Sequence, residues 1–157
     1  MAIESLTIVL AEDDDGHATL IHRNLQRAGV DNGFIRVKDG QEALDLIYGR
    51  SEFAGKVMPA NILLLLDIKL PKLDGVEVLR QLKSDPATNT IPIIMLTTTD
   101  DPREVARCYQ LGCNVYITKP VDYEDFINAI KQLGLFLQVV RVPRNGVMQR
   151  ETTDSLT

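Results

Sequence analysis

Tryptophan is absent from these 157 residues, all aromatics together make up 5%, and there are two cysteines. Cys108 and Cys113 are too few for a disulfide scaffold, and they do not form the CxxC pair of a zinc site. They are expected to be buried thiols of a reducing compartment. The opening residues lack the cationic segment and small-residue cleavage site of a secretion signal. The longest purely apolar run, Ile62–Leu66, falls far short of the ~18 residues that cross a bilayer. A cytoplasmic protein without membrane contact is predicted. Positive charge is scarce too: 17 Lys+Arg against 22 Asp+Glu give a net charge of −5, which argues against a nucleic-acid partner. Neither the phosphate-loop nor the dinucleotide glycine signature occurs, so nucleotide binding has no support. What remains is 45% apolar and 25% charged, the balance of one folded domain of ordinary size.

Five short apolar runs alternate with longer amphipathic stretches. The runs are Leu6–Ala11, Phe34–Val37, Ile62–Leu66, Ile91–Leu96 and Val115–Ile117, each suited to a buried strand. Between the first two, Ala18, Ile21, Leu25 and Ala28 recur at helical spacing, with Gly29 as a stop. Asp39 with Glu42 caps a second helix that carries Ala43 and Ile47. Gly75–Lys83 carries Val78, Leu79 and Leu82 and ends at Ser84-Asp85-Pro86. Asp101-Pro102-Arg103-Glu104 supplies a cap, a proline and an acid for a fourth helix, and Asp122 with Asp125 starts a fifth. Such alternation predicts right-handed crossovers and a parallel sheet covered by helices on both faces. Gly49–Ala60 is the one long loop. His17 and His22 lie five apart on the first helix, which is not metal spacing, and are expected to be surface or helix-packing residues.

The polar residues fall at the carboxyl ends of the strands, where open parallel sheets bind ligands. Glu12-Asp13-Asp14-Asp15 follows the first strand and Asp67 the third. Thr97-Thr98-Thr99 follows the fourth and Lys119-Pro120 the fifth. Clustered carboxylates repel one another, and a hard divalent cation with oxygen ligands relieves that repulsion; Mg²⁺ suits. A carboxylate there can also attack a phosphoryl group to give an aspartyl phosphate. The transferred group would lie between the metal and Lys119, with Thr97 donating a hydrogen bond.

With Glu12-Asp13, the run from Asp67 through Pro71 to Gly75, Thr97-Thr98, and the run from Tyr116 to Lys119-Pro120, residues 5–140 resemble the receiver domain of a two-component response regulator. Asn114 to Asp122 and the apolar end of the last helix are similar to the stand-alone receivers associated with phytochromes. The resemblance implies a flavodoxin-like, doubly wound α/β fold with strand order 2-1-3-4-5. It implies that Asp67 is the phosphoacceptor from a sensor histidine kinase, with a phytochrome-type photoreceptor as candidate. Asp13, Asp67, Glu12 (through water) and the Lys69 backbone carbonyl would hold Mg²⁺. Thr97, Thr98 and Lys119 would bind phosphate, and Thr97 and Tyr116 would form the switch. Pro71 and Gly75 select Asp67 as acceptor; a shifted register of the leucine run would put Leu65 there instead.

Phe126, Ile130, Leu133, Leu137 and Val140 form a stripe on the last helix, and Leu135, Phe136 and Val139 add apolar surface on other faces. A homodimer interface is expected there. Residues 1–142 read as the receiver with its extended last helix, and 143–157 as a flexible polar tail. Too little chain remains for an output module, so the output is expected to come from another, unidentified protein. The domain would not be an enzyme beyond its own phosphorylation and dephosphorylation. Two other readings are a Mg²⁺-dependent phosphohydrolase with an Asp nucleophile and an interaction module that needs no phosphorylation. The first is weakened because the position two beyond Asp67, where such hydrolases carry a second Asp, is Lys69.

Overall fold

The apolar runs pair as five parallel strands: β1 (Leu6–Ala11), β2 (Gly33–Val37), β3 (Asn61–Leu66), β4 (Ile93–Thr97) and β5 (Val115–Thr118), in the order β2-β1-β3-β4-β5. They alternate with α1 (Asp15–Arg27), α2 (Gly40–Tyr48), α3 (Gly75–Ser84) and α4 (Pro102–Leu111). The computed structural model describes residues 6–27, 33–56, 59, 61–119 and 124. The stripe Phe126, Ile130, Leu133, Leu137 and Val140, the cap Asp122, Pro120 and the tail 143–157 lie outside the described residues.

Because successive strand residues point to opposite faces, each strand feeds two cores. Val9, Ala11, Leu64, Leu66, Ile93 and Met95 face a layer built from Ala43, Val78, Leu79, Leu82 and Cys108 of α2, α3 and α4. Ile8, Leu10, Leu63, Leu65, Ile94 and Leu96 face Ala18, Ile21 and Leu25 of α1. Burial on both faces is the reason the strands read as unbroken apolar runs. Acidic caps set the helix starts: Asp39 accepts the Glu42 N–H at 2.7 Å, Asp74 that of Glu77 at 2.9 Å, and Asp101 that of Arg103 at 2.9 Å.

Register fixes where Asp67 falls. Leu65 pairs with Leu10 and Leu66 with Ala11, and the Asp67 N–H donates to the Ala11 carbonyl at 3.1 Å. Leu65 is fully buried in the sheet, so the shifted alternative is ruled out. The fourth strand starts later than the apolar run suggested, at Ile93. Asn114 Oδ1 accepts the Ile93 N–H at 2.8 Å, while the Ile91 carbonyl is taken by Lys83 Nζ at 2.6 Å. The long loop after Tyr48 contains a short 3-10 turn at Ser51–Phe53.

Two close approaches bind the loop after β3 to its neighbours. A Cβ on Gly75 would meet the Asp67 carbonyl oxygen at 1.9 Å, and one on Gly40 the Leu73 carbonyl oxygen at 1.8 Å. Backbone bonds run beside both contacts, Gly75 N–H to Ile68 O at 2.7 Å and Gly40 N–H to Pro71 O at 3.3 Å. Gly75→Ala is therefore expected to lower stability by about 1–3 kcal/mol, the usual cost of overpacking, as measured by urea denaturation. Burial pushes both cysteine thiols up to about 11. At pH 8 a thiol-specific disulfide reagent should label neither in the folded protein and both after unfolding.

Candidate functional site

The four strand ends meet at one edge of the sheet. Glu12 directly follows β1, and its N–H bonds the Val37 carbonyl of β2 at 3.0 Å. Its carboxylate is buried, accepting from Lys119 Nζ at 2.6 Å and from the Asp14 N–H at 3.2 Å. Asp67 directly follows β3 and is also buried. Its Oδ1 accepts the Ile68 N–H at 2.7 Å and its Oδ2 accepts from Lys119 Nζ at 3.1 Å. Asp13 is exposed, and one carboxylate oxygen from each of Glu12, Asp13 and Asp67 comes within 4.8 Å of the others.

Charge and satisfaction define what this pocket can take. Three carboxylates against one ammonium leave an excess of two negative charges, which a divalent cation matches. Thr97, at the end of β4, is fully buried, and among the described residues its hydroxyl has no hydrogen-bond partner. A buried hydroxyl left unpaired costs free energy, so the position is built for an incoming acceptor. The residues present thus fit both Mg²⁺ and an anionic oxygen beside it. Thr98 and Lys69 are exposed at the rim, one after β4 and one in the loop after Asp67.

Tyr116, on β5, lies beside this edge. Its hydroxyl donates to the Thr99 carbonyl at 2.6 Å, and its backbone N–H donates to the Tyr109 hydroxyl of α4 at 3.1 Å. Burial pushes the Tyr116 phenol up to about 12, so it remains a donor at working pH. The Lys119 N–H bonds the Thr97 carbonyl at 2.6 Å, which ties the ends of β4 and β5 directly.

Two residues enter the site that the sequence did not single out. Arg36, on β2, donates from Nε to the Glu12 carbonyl at 2.9 Å and from Nη1 to Asp15 at 2.7 Å, which braces the acidic loop. That contact holds the Asp15 carboxyl below its ordinary range. His17 is a surface residue of α1, as expected, with its side chain half exposed; its Nδ1 also lies 3.3 Å from Lys119 Nζ and 3.8 Å from Glu12 Oε2. His22 does pack, its ring stacked on Phe34 with centroids 3.9 Å apart.

The model of the response regulator receiver domain matches residues 8–131. The chain belongs to that family. A receiver domain from Rhodospirillum rubrum shares 51% identity, with a TM-score of 0.73 over 88% of this chain and 98% of that one. The phosphorylated cyanobacterial phytochrome response regulator RcpA shares 34%, with a TM-score of 0.74 over 87% and 97%. The Mn²⁺-bound form of response regulator Rcp1 shares 31%, with a TM-score of 0.74 over 87% and 98%; Rcp1 is a Synechocystis protein. The receiver fold and the kinship with phytochrome response regulators are therefore as the motifs implied. No helix among the described residues is long and apolar enough to cross a membrane.

The orphan hydroxyl of this receiver gives a stability test that needs no ligand. Thr97→Val keeps the shape and removes the unpaired oxygen, so the ligand-free protein should become more stable by about 1 kcal/mol in urea denaturation.

Proposed function

We propose that this receiver is a signalling switch that accepts a phosphoryl group on Asp67 from a phosphohistidine of a sensor histidine kinase. The observation that carries this reading is the meeting of Asp67 with a buried ammonium on one side and an unpaired buried hydroxyl on the next strand. An Asp67 carboxylate oxygen attacks phosphorus as the phosphorus–nitrogen bond to the donor imidazole breaks. The products are an acyl phosphate and a free imidazole, whose nitrogen takes a proton from solvent. Lys119 and the Thr97 hydroxyl bind the transferred oxygens, and Thr98 contributes from the rim. Asp13, Asp67, the Lys69 carbonyl and Glu12 through water would hold Mg²⁺. When bound, the ion neutralises charge on the carboxylates and on the phosphoryl oxygens. Protein groups supply mostly positioning and charge, with no turnover of a separate substrate.

As Thr97 closes on the phosphoryl group, Tyr116 turns and the signal passes to the surface of α4 and β5. Similarity to RcpA and Rcp1 favours a phytochrome-type photoreceptor as the kinase. We assign the homodimer contact to Phe126, Ile130, Leu133, Leu137 and Val140. The phosphohydrolase reading is disfavoured, because Lys69 offers no carboxylate two positions beyond the nucleophile.

Incubation with Mg²⁺ and acetyl phosphate, or with a phosphorylated kinase, should place about one phosphate on each chain, and Asp67→Asn should take none. Continuous release of phosphate at catalytic rates, or full labelling of Asp67→Asn, would overturn the reading.

A further inference from the structure

The Lys119 ammonium has three N–H donors, and each has an acceptor: Glu12 Oε1 at 2.6 Å, Asp67 Oδ2 at 3.1 Å and His17 Nδ1 at 3.3 Å. An ammonium can only donate, so Nδ1 meets it with a lone pair. The three acceptors differ in what phosphorylation does to them. Glu12 and Asp67 belong to the acidic cluster, and phosphorylation would turn the Asp67 carboxylate into an acyl phosphate whose negative charge sits on the phosphoryl oxygens. His17 is outside that cluster, and phosphorylation would leave its ring chemically unchanged.

The ring is also fixed where it stands. Its own backbone N–H donates to Asp14 Oδ1 at 2.8 Å, which anchors the first turn of α1. Arg36 on Asp15 holds the same turn to β2. Half of the His17 side chain is exposed while Lys119 is 5% exposed, so the imidazole sits between the buried ammonium and the pocket mouth.

We propose that His17 is a positioning residue for phosphoryl transfer. Its Nδ1 draws one N–H of Lys119 toward the mouth, so that the N–H now on Asp67 Oδ2 is aimed at the arriving phosphoryl oxygen. Without this third acceptor the ammonium withdraws between the Glu12 and Asp67 carboxylates and must be pulled back for each transfer. The proposal rests on Asp67 being the acceptor and says what orients its cation.

Two variants test it, with acetyl phosphate and Mg²⁺ as the probe. In His17→Leu the labelling rate at saturating donor should fall about fivefold, the equivalent of one net hydrogen bond, with the half-saturating donor concentration unchanged. His17→Asn, whose amide oxygen can accept from Lys119, should restore most of the rate. Without metal or donor, the nitrogen-15 signal of the Lys119 ammonium should show slow hydrogen exchange in the native protein and in His17→Asn, and exchange broadening in His17→Leu. An unchanged saturating rate in His17→Leu, a loss that Asn does not restore, or an unaltered ammonium signal would each overturn the proposal. Labelling of Asp67→Asn would instead overturn the underlying reading, and the ammonium signal would still decide the His17 contact.

Discussion

A buried ammonium between two buried carboxylates is the constraint on which this receiver depends. Lys119 reaches Glu12 across 107 positions of sequence and Asp67 across 52, so one side chain joins the ends of β1, β3 and β5. Removed from water singly, either carboxylate would carry a large desolvation penalty. Together with Lys119 they are tolerated, and the excess of negative charge left over suits a divalent cation. The same residues thus close the upper edge of the sheet and define its chemistry.

Holding that cluster in register takes contacts from every neighbouring loop. Gly75 lets α3 begin against the Asp67 carbonyl, and Gly40 lets α2 begin against the loop between Pro71 and Leu73. Arg36 braces the loop after β1 from the outer strand β2. The Asp67 carboxylate is consequently surrounded by backbone that cannot shift without losing several bonds at once.

Legibility in the sequence followed the physics of each feature. Strands buried on both faces announce themselves as apolar runs, and polar residues closing those runs had to fall on the ligand-binding edge. Glu12, Asp67, Thr97 and Lys119 were readable for that reason. The start of β4 was misread because Ile91 and Pro92 extend the apolar run, while the strand begins where Asn114 offers its carbonyl oxygen to Ile93. His17 was hidden more deeply. Its spacing from His22 asked only about metals, and its real partner lies 102 residues away on another strand end. Arg36 escaped for the same cause: it acts on the Glu12 carbonyl of another strand end, and no local pattern records such a bond.

The placement of Asp67 within the sheet has a mechanical consequence. β3 is flanked by β1 and β4, whereas β5, which carries Tyr116 and leads into Lys119, is paired among the described strands with β4 alone. Asp67 therefore follows the central strand of the five, while Thr97 and Lys119 follow strands progressively nearer the margin. A displacement at Asp67 meets a paired strand on either side, whereas one at the end of β5 meets a paired strand on one side among the described strands. Backbone hydrogen bonding thus constrains the edge strand β5 less than it constrains β3.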